Sequence, residues 1–98
     1  MTLAEATEQV TTRAANVSAI DATLKFIFNE NEVIYVDGTT GNTVSNEQKD
    51  ASCNINIEFD DFVSMLEGNL NPMSAFMEGK MKVEGDMSVA MKLQSILS

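Results

Sequence analysis

The sequence predicts an α+β domain: a five-stranded, mainly antiparallel sheet with helices covering one face. Three observations predict it. Residues 20–29 and 51–60 alternate apolar and polar side chains with a period of two, as half-buried strands do. Segments at both ends of the chain repeat apolar residues every three or four positions, as amphipathic helices do. Turn residues such as Asp37-Gly38, Gly68, Gly79 and Gly85 separate these segments, with no repeat and no long linker. The 98 residues therefore read as a single domain, 1–98, with one core.

Taken in order, Thr2 caps the first helix and Glu5, three positions on, completes a capping box. Leu3, Ala6, Val10, Ala14 and Val17 form its apolar stripe. In the first strand Ile20, Ala22, Leu24, Phe26 and Phe28 share a face. Residues 33–36 give a second strand and 43–45 a short third one. A polar run, 46–50, leads to the fourth, whose apolar face is Ala51, Cys53, Ile55, Ile57 and Phe59. Asp60 reads as the cap of a short helix, with Asp61 favourable in its first turn and Phe62, Met65 and Leu66 on its apolar side. Asn71 caps a further helix that starts at Pro72, where the missing N–H costs nothing. Ala75, Phe76 and Met77 make that helix apolar on one side, and Gly79 stops it. Met81 and Val83 point to one face of the fifth strand, which Gly85 breaks. Asp86 caps the last helix. There Met87, Ala90, Met91, Gln94 and Leu97 share one side and Val89, Leu93 and Ile96 an adjacent one. That apolar arc is wide enough to need a cover of protein, of a second chain or of a ligand.

Composition narrows the function. The hydrophobic fraction of 44% fits a folded chain, and no apolar run reaches the length of a membrane span. Residues 1–20 lack the basic start and apolar centre of a secretory signal, and Ile96-Leu97-Ser98 is not a peroxisomal address. Cys53, the single cysteine, has no internal disulfide partner, which fits a reducing, cytoplasmic setting. The net charge of −9 opposes binding to nucleic acid and to anionic lipid surfaces. Residues 1–78 hold 13 acids and 3 bases, whereas residues 79–98 hold 2 and 3. Lys80, Lys82 and Lys92 thus form the only faintly basic region. They either keep strand and helix solvated or face an anionic head group or a partner's acidic patch.

No catalytic set emerges. The chain has no His, so Cys53 has no activating base, and transition metals lack their usual ligands. A helix N-terminus accounts for the pair Asp60 and Asp61, and the glycines form no phosphate or dinucleotide loop. The expectation is therefore no enzyme, no catalytic residue, no metal and no cofactor. Methionine is what stands out: seven in all, with Met65, Met73, Met77, Met81, Met87 and Met91 in the last third. They are either core filler or the adaptable lining of a site for varied aliphatic ligands.

The run Asn71-Pro72, Ser74-Ala75-Phe76, Gly79-Lys80, Lys82-Val83, Gly85-Asp86-Met87 and Ala90-Met91-Lys92-Leu93-Gln94 resembles the signature of the sterol carrier protein type-2 domain, also called the non-specific lipid-transfer domain. The resemblance implies five strands, helices over one face, and a hydrophobic tunnel between the layers. It also implies a small lipid carrier that holds a fatty acyl chain, acyl-CoA, sterol or phospholipid tail. The expected lining is Phe62, Met65, Leu66, Phe76, Met77, Met81, Met87, Ala90 and Met91, with Leu24, Phe26 and Ile55 from the sheet. Transient membrane contact and a homodimer stay open as partners, and nucleic acid is not expected. Two other readings stand beside the carrier. One is an interaction module that uses the arc of the last helix to dimerise; the other is an auxiliary domain of an acyl-CoA enzyme.

Overall fold

The two alternating stretches become neighbours at the centre of the sheet. In the computed structural model, which describes residues 1–92 and 96, they form β1 (Thr23–Ile27) and β4 (Cys53–Ile57). These run parallel, with Leu24 opposite Cys53 and Phe26 opposite Ile55. β2 (Val33–Asp37) and β3 (Thr43–Ser45) extend the sheet on one side and β5 (Met81–Gly85) on the other, giving the order β3-β2-β1-β4-β5. All pairs except β1–β4 are antiparallel. The register sets the apolar alternate residues of neighbouring strands opposite one another, so Leu24, Phe26, Ile34, Val36, Cys53, Ile55, Ile57 and Met81 all enter one core.

Four helices lie over that face: α1 (Leu3–Ala15), α2 (Phe59–Leu66), α3 (Pro72–Met77) and α4 (Met87–Lys92). The α1 stripe buries Ala6, Val10 and Ala14, and the expected capping box is present. The Arg13 guanidinium donates to the Leu66 carbonyl and ties α1 to the end of α2. Phe62 sits at the centre, its ring 4.9 Å from that of Phe26 and 5.0 Å from that of Phe28. Such ring pairs contribute about 0.5–1.5 kcal/mol each beyond the area they bury.

The opposite face of β2 is covered as well. Val33 and Tyr35 point away from the helices, yet both are buried. Residues 46–50 supply the cover. Asn46 donates to the Val33 carbonyl (2.8 Å), Gln48 donates to the Glu30 carbonyl (3.0 Å), and the Lys49 ammonium lies 6.0 Å from the Tyr35 ring centre.

Several boundaries differ from the sequence reading, the fourth strand among them, which runs Cys53–Ile57 rather than 51–60 because Phe59 opens α2. The first strand starts at Thr23 rather than residue 20, because Asp21 takes a left-handed conformation (φ 60°) that an extended strand cannot contain. The second helix is capped at Glu58, not Asp60, and no side chain accepts at that cap. Starting the helix at Phe59 turns that ring edge-on to Phe28, with centroids 5.2 Å apart, while Asp60 and Asp61 still fall in the positive first turn. Gly85 belongs to β5 rather than breaking it. The expectations for Leu93, Gln94 and Leu97 lie outside the described residues.

Gly85 is the tightest backbone approach in the sheet. Its φ is +103°, and a Cβ there would stand 2.3 Å from the Ser52 carbonyl oxygen. That same oxygen accepts from the Asp86 N–H at 2.9 Å, so the end of β5 and the start of α4 are fixed to β4 together. Gly79 is also left-handed, at +77°, but a Cβ there would meet nothing. In urea denaturation Gly85→Ala is expected to cost on the order of 2 kcal/mol or more and Gly79→Ala about 1 kcal/mol. Equal losses would contradict the close approach at Gly85.

Candidate functional site

The last three described elements each follow from a local rule. The Asn71 side chain accepts from the Met73 N–H at 2.8 Å, and Pro72 opens α3. Gly79 turns the chain back, and the Lys80 N–H donates to the Ala75 carbonyl (2.9 Å). The pleat of β5 then sends Met81 and Val83 inward and Lys82 outward. Asp86 caps α4 by accepting from the Ser88 N–H (2.9 Å) and the Ser88 hydroxyl (2.6 Å). Val89 and Ile96 anchor the inner side, and Lys92 reaches the Ile20 carbonyl at 3.0 Å. With that side fixed, Met87, Ala90 and Met91 turn toward α3 and β5.

Between α3, β5 and α4 lies an apolar pocket of about 110 Å³, lined by Pro72, Met73, Phe76, Met81, Val83, Met87, Ala90 and Met91. Met81, only 5% exposed, and Pro72 are the buried members of this lining. The rim is open: Phe76 is 43% exposed, Met87 50%, Met73 52% and Met91 74%. Surface residues rarely cluster large apolar side chains in this way unless something docks there.

Of the residues singled out from sequence, the structure brings Phe76, Met81, Met87, Ala90 and Met91 together around this pocket. Leu24, Phe26, Ile55, Phe62, Met65 and Leu66 are packed into the buried core and contribute no wall to it. Met77 lies on the outer side of α3, 79% exposed and outside the lining. Three lining residues stood outside the expected set, Pro72, Met73 and Val83, and of these only Met73 was singled out, as one of the methionines that either fill the core or line a site. Met73 stands three positions before Phe76, the helical spacing that shares a face, and Val83 shares the strand face of Met81.

The lysines do not converge. Lys80 faces Glu78 at 3.8 Å, and Lys80 and Lys82 border a recess on the other face that also holds Glu30, Glu58 and Asp61. Lys92 sits apart, against Ile20. The lining side chains include no titratable group, no nucleophile and no hydrogen-bond donor. Cys53 is fully buried behind it, and desolvation, with the Asp86 charge second, pushes its thiol above the usual range. Among the described residues no cluster of His, Cys, Asp or Glu could hold a metal, and no helix is long and apolar enough to cross a membrane. What the arrangement can do is take apolar matter out of water.

The profile of the SCP-2 sterol transfer family matches residues 3–98. The chain belongs to that family. It is similar to human sterol carrier protein 2, at 41% identity over 64 residues, which make up 65% of this chain and 12% of the human protein. The chain therefore spans a small part of the curated relatives it matches. Among solved structures it is similar to sterol carrier protein 2 from Yarrowia lipolytica in its apo form, with 26% identity and a TM-score of 0.68 over 95% of this chain and 77% of that one. It is also similar to the solution structure of sterol carrier protein 2 from Aedes aegypti in complex with palmitate. There the TM-score is 0.78 and the identity 16%, over 100% of this chain and 97% of that one. The fold is that of the SCP-2 family.

The cap that aims α4 has a pH signature. The Ser88 hydroxyl, followed by the Ser88 N–H, holds the Asp86 carboxyl below its ordinary 3.8. A depressed folded value means the cap's contribution is complete above about pH 3.8 and fades as pH falls through the folded value. Carboxyl carbon NMR is expected to place the Asp86 midpoint below 3.8, and Ser88→Ala is expected to move it upward. An unchanged midpoint in Ser88→Ala would contradict the capping geometry.

Proposed function

We propose that this chain is a lipid carrier whose pocket between α3, β5 and α4 takes the aliphatic tail of a fatty acid or fatty acyl compound. The observation that supports it is the concave, wholly apolar lining with a rim of half-exposed Met73, Phe76, Met87 and Met91. The similar Aedes aegypti protein with bound palmitate supports the same class of ligand. Sites for drug-sized molecules occupy about 300–1,000 Å³, so 110 Å³ receives the end of a tail rather than its whole length. Further room comes from rotation of the rim methionines, whose unbranched side chains already reach solvent. Each methylene moved from water into the pocket contributes about 0.8 kcal/mol. Recognition of this kind reads length weakly and tail chemistry hardly at all, so a broad range of aliphatic ligands is expected. No chemical step is assigned to the chain.

The net charge of −9 steers the carrier away from anionic bilayers, so any transient contact that loads or unloads it is with a neutral surface. A second reading, an interface with another copy of the chain, is favoured by the apolar surface continuing past the pocket to Met77.

Titration of a fluorescent fatty acid separates the two. Saturable binding is expected, and Phe76→Asp is expected to weaken it about ten-fold or more by placing a charge at the entrance. Met77→Asp, outside the lining, is expected to leave affinity unchanged. No binding, or equal losses in the two variants with circular dichroism unchanged, would overturn the pocket assignment.

A further inference from the structure

Four of the eight residues that line the pocket are methionine, an apolar side chain that an oxidant makes polar. Besides Met1, which is 45% exposed and outside the pocket, six methionines occupy three environments. Met65 (1% exposed) and Met81 (5%) are shielded. Met73 (52%), Met87 (50%) and Met91 (74%) stand on the rim, each with its side chain both lining the pocket and open to solvent. Met77 (79%) is open to solvent but outside the pocket. A hydroperoxide reaches the three rim sulfurs and not the deep one.

We propose that Met73, Met87 and Met91 are sulfoxidation sites through which hydroperoxides switch off tail binding. This rests on the reading of the pocket as a tail site. In the step itself the thioether lone pair attacks one oxygen of the peroxide. The S–O bond forms and the O–O bond breaks; the other oxygen leaves as water, or as an alcohol from an organic hydroperoxide. Sulfur is oxidised by two electrons and the peroxide is reduced by the same two. The sulfoxide is a strong hydrogen-bond acceptor, and the lining side chains offer it no donor. Seating a tail would then strip water from up to three sulfoxide oxygens with nothing in exchange. Enzymes that reduce methionine sulfoxide return the thioether, so the switch is reversible.

The test begins with fluorescent fatty acid affinity of the untreated full chain. The protein is then treated with hydrogen peroxide, mapped by peptide mass spectrometry, and titrated again. Oxidation is expected at Met73, Met77, Met87 and Met91 and not at Met65 or Met81. Dodecanoate is expected to slow oxidation of Met73, Met87 and Met91 while leaving Met77 unprotected. Affinity is expected to fall about ten-fold or more and to return after methionine sulfoxide reductase treatment. In the M73L/M87L/M91L variant the treated-to-untreated ratio is expected to stay near one, whatever its starting affinity, whereas M77L keeps the full loss. Undiminished binding after oxidation, a loss abolished by M77L, or loss of the circular dichroism spectrum on oxidation would each overturn the switch. If the untreated chain binds no fatty acid, the tail reading itself falls, and the switch with it.

Discussion

The rest of the structure is built around the packing of Phe62 against Phe26 and Phe28. Phe62 of α2 meets Phe26 of β1 and Phe28 just beyond that strand, at centroid distances of 4.9 and 5.0 Å. Leu24, Ile55, Met65 and Leu66 fill in around them. Beside that packed centre, an apolar pocket among the described residues lies at the β5 edge. There α3 and α4 leave Met73, Phe76, Met87 and Met91 at least 43% exposed. Filling the centre and leaving the edge open are two consequences of one arrangement.

The edge has to be rigid in its backbone to be adaptable in its side chains. Gly85 against Ser52 fixes the turn between β5 and α4, Asp86 and Asn71 fix the helix starts, and Lys92 ties α4 to Ile20. On this frame hang methionines, whose thioethers rotate and polarise where branched side chains would be locked. A lining of this kind suits ligands that share a tail and differ elsewhere. The charge distribution fits the same purpose, since no charged side chain lines the pocket while the surface at large is acidic.

Local chemistry was legible in the sequence, and depth was not. Thr2 with Glu5, Asn71 with Pro72, and Asp86 each announce a helix start because the capping groups are neighbours in the chain. The alternation through Leu24 and Phe26 gave the apolar face of a strand, and so did that of Met81 and Val83. Period two reports which face a residue takes, not whether a helix or a pocket lies above it. Leu24 and Phe26 therefore went to solid core and Met81 to the pocket. The placement of Met73 inside the lining and Met77 outside depends on how α3 is rotated against β5, which is a tertiary fact. The start of α2 at Phe59 rather than after Asp60 goes with a ring contact to Phe28, 31 positions earlier in the chain (59 − 28) and so not legible locally. The signature over residues 71–94 reached the family more directly than any periodicity did.

The claim that an aliphatic tail enters between α3, β5 and α4 is tested most directly by methyl NMR of methionine-labelled protein with a saturated fatty acid added. The methyl groups of Met73, Met81, Met87 and Met91 are expected to show contacts to the tail, while those of Met65 and Met77 show none. Tail contacts at Met65, or at none of the pocket methionines, would contradict the account.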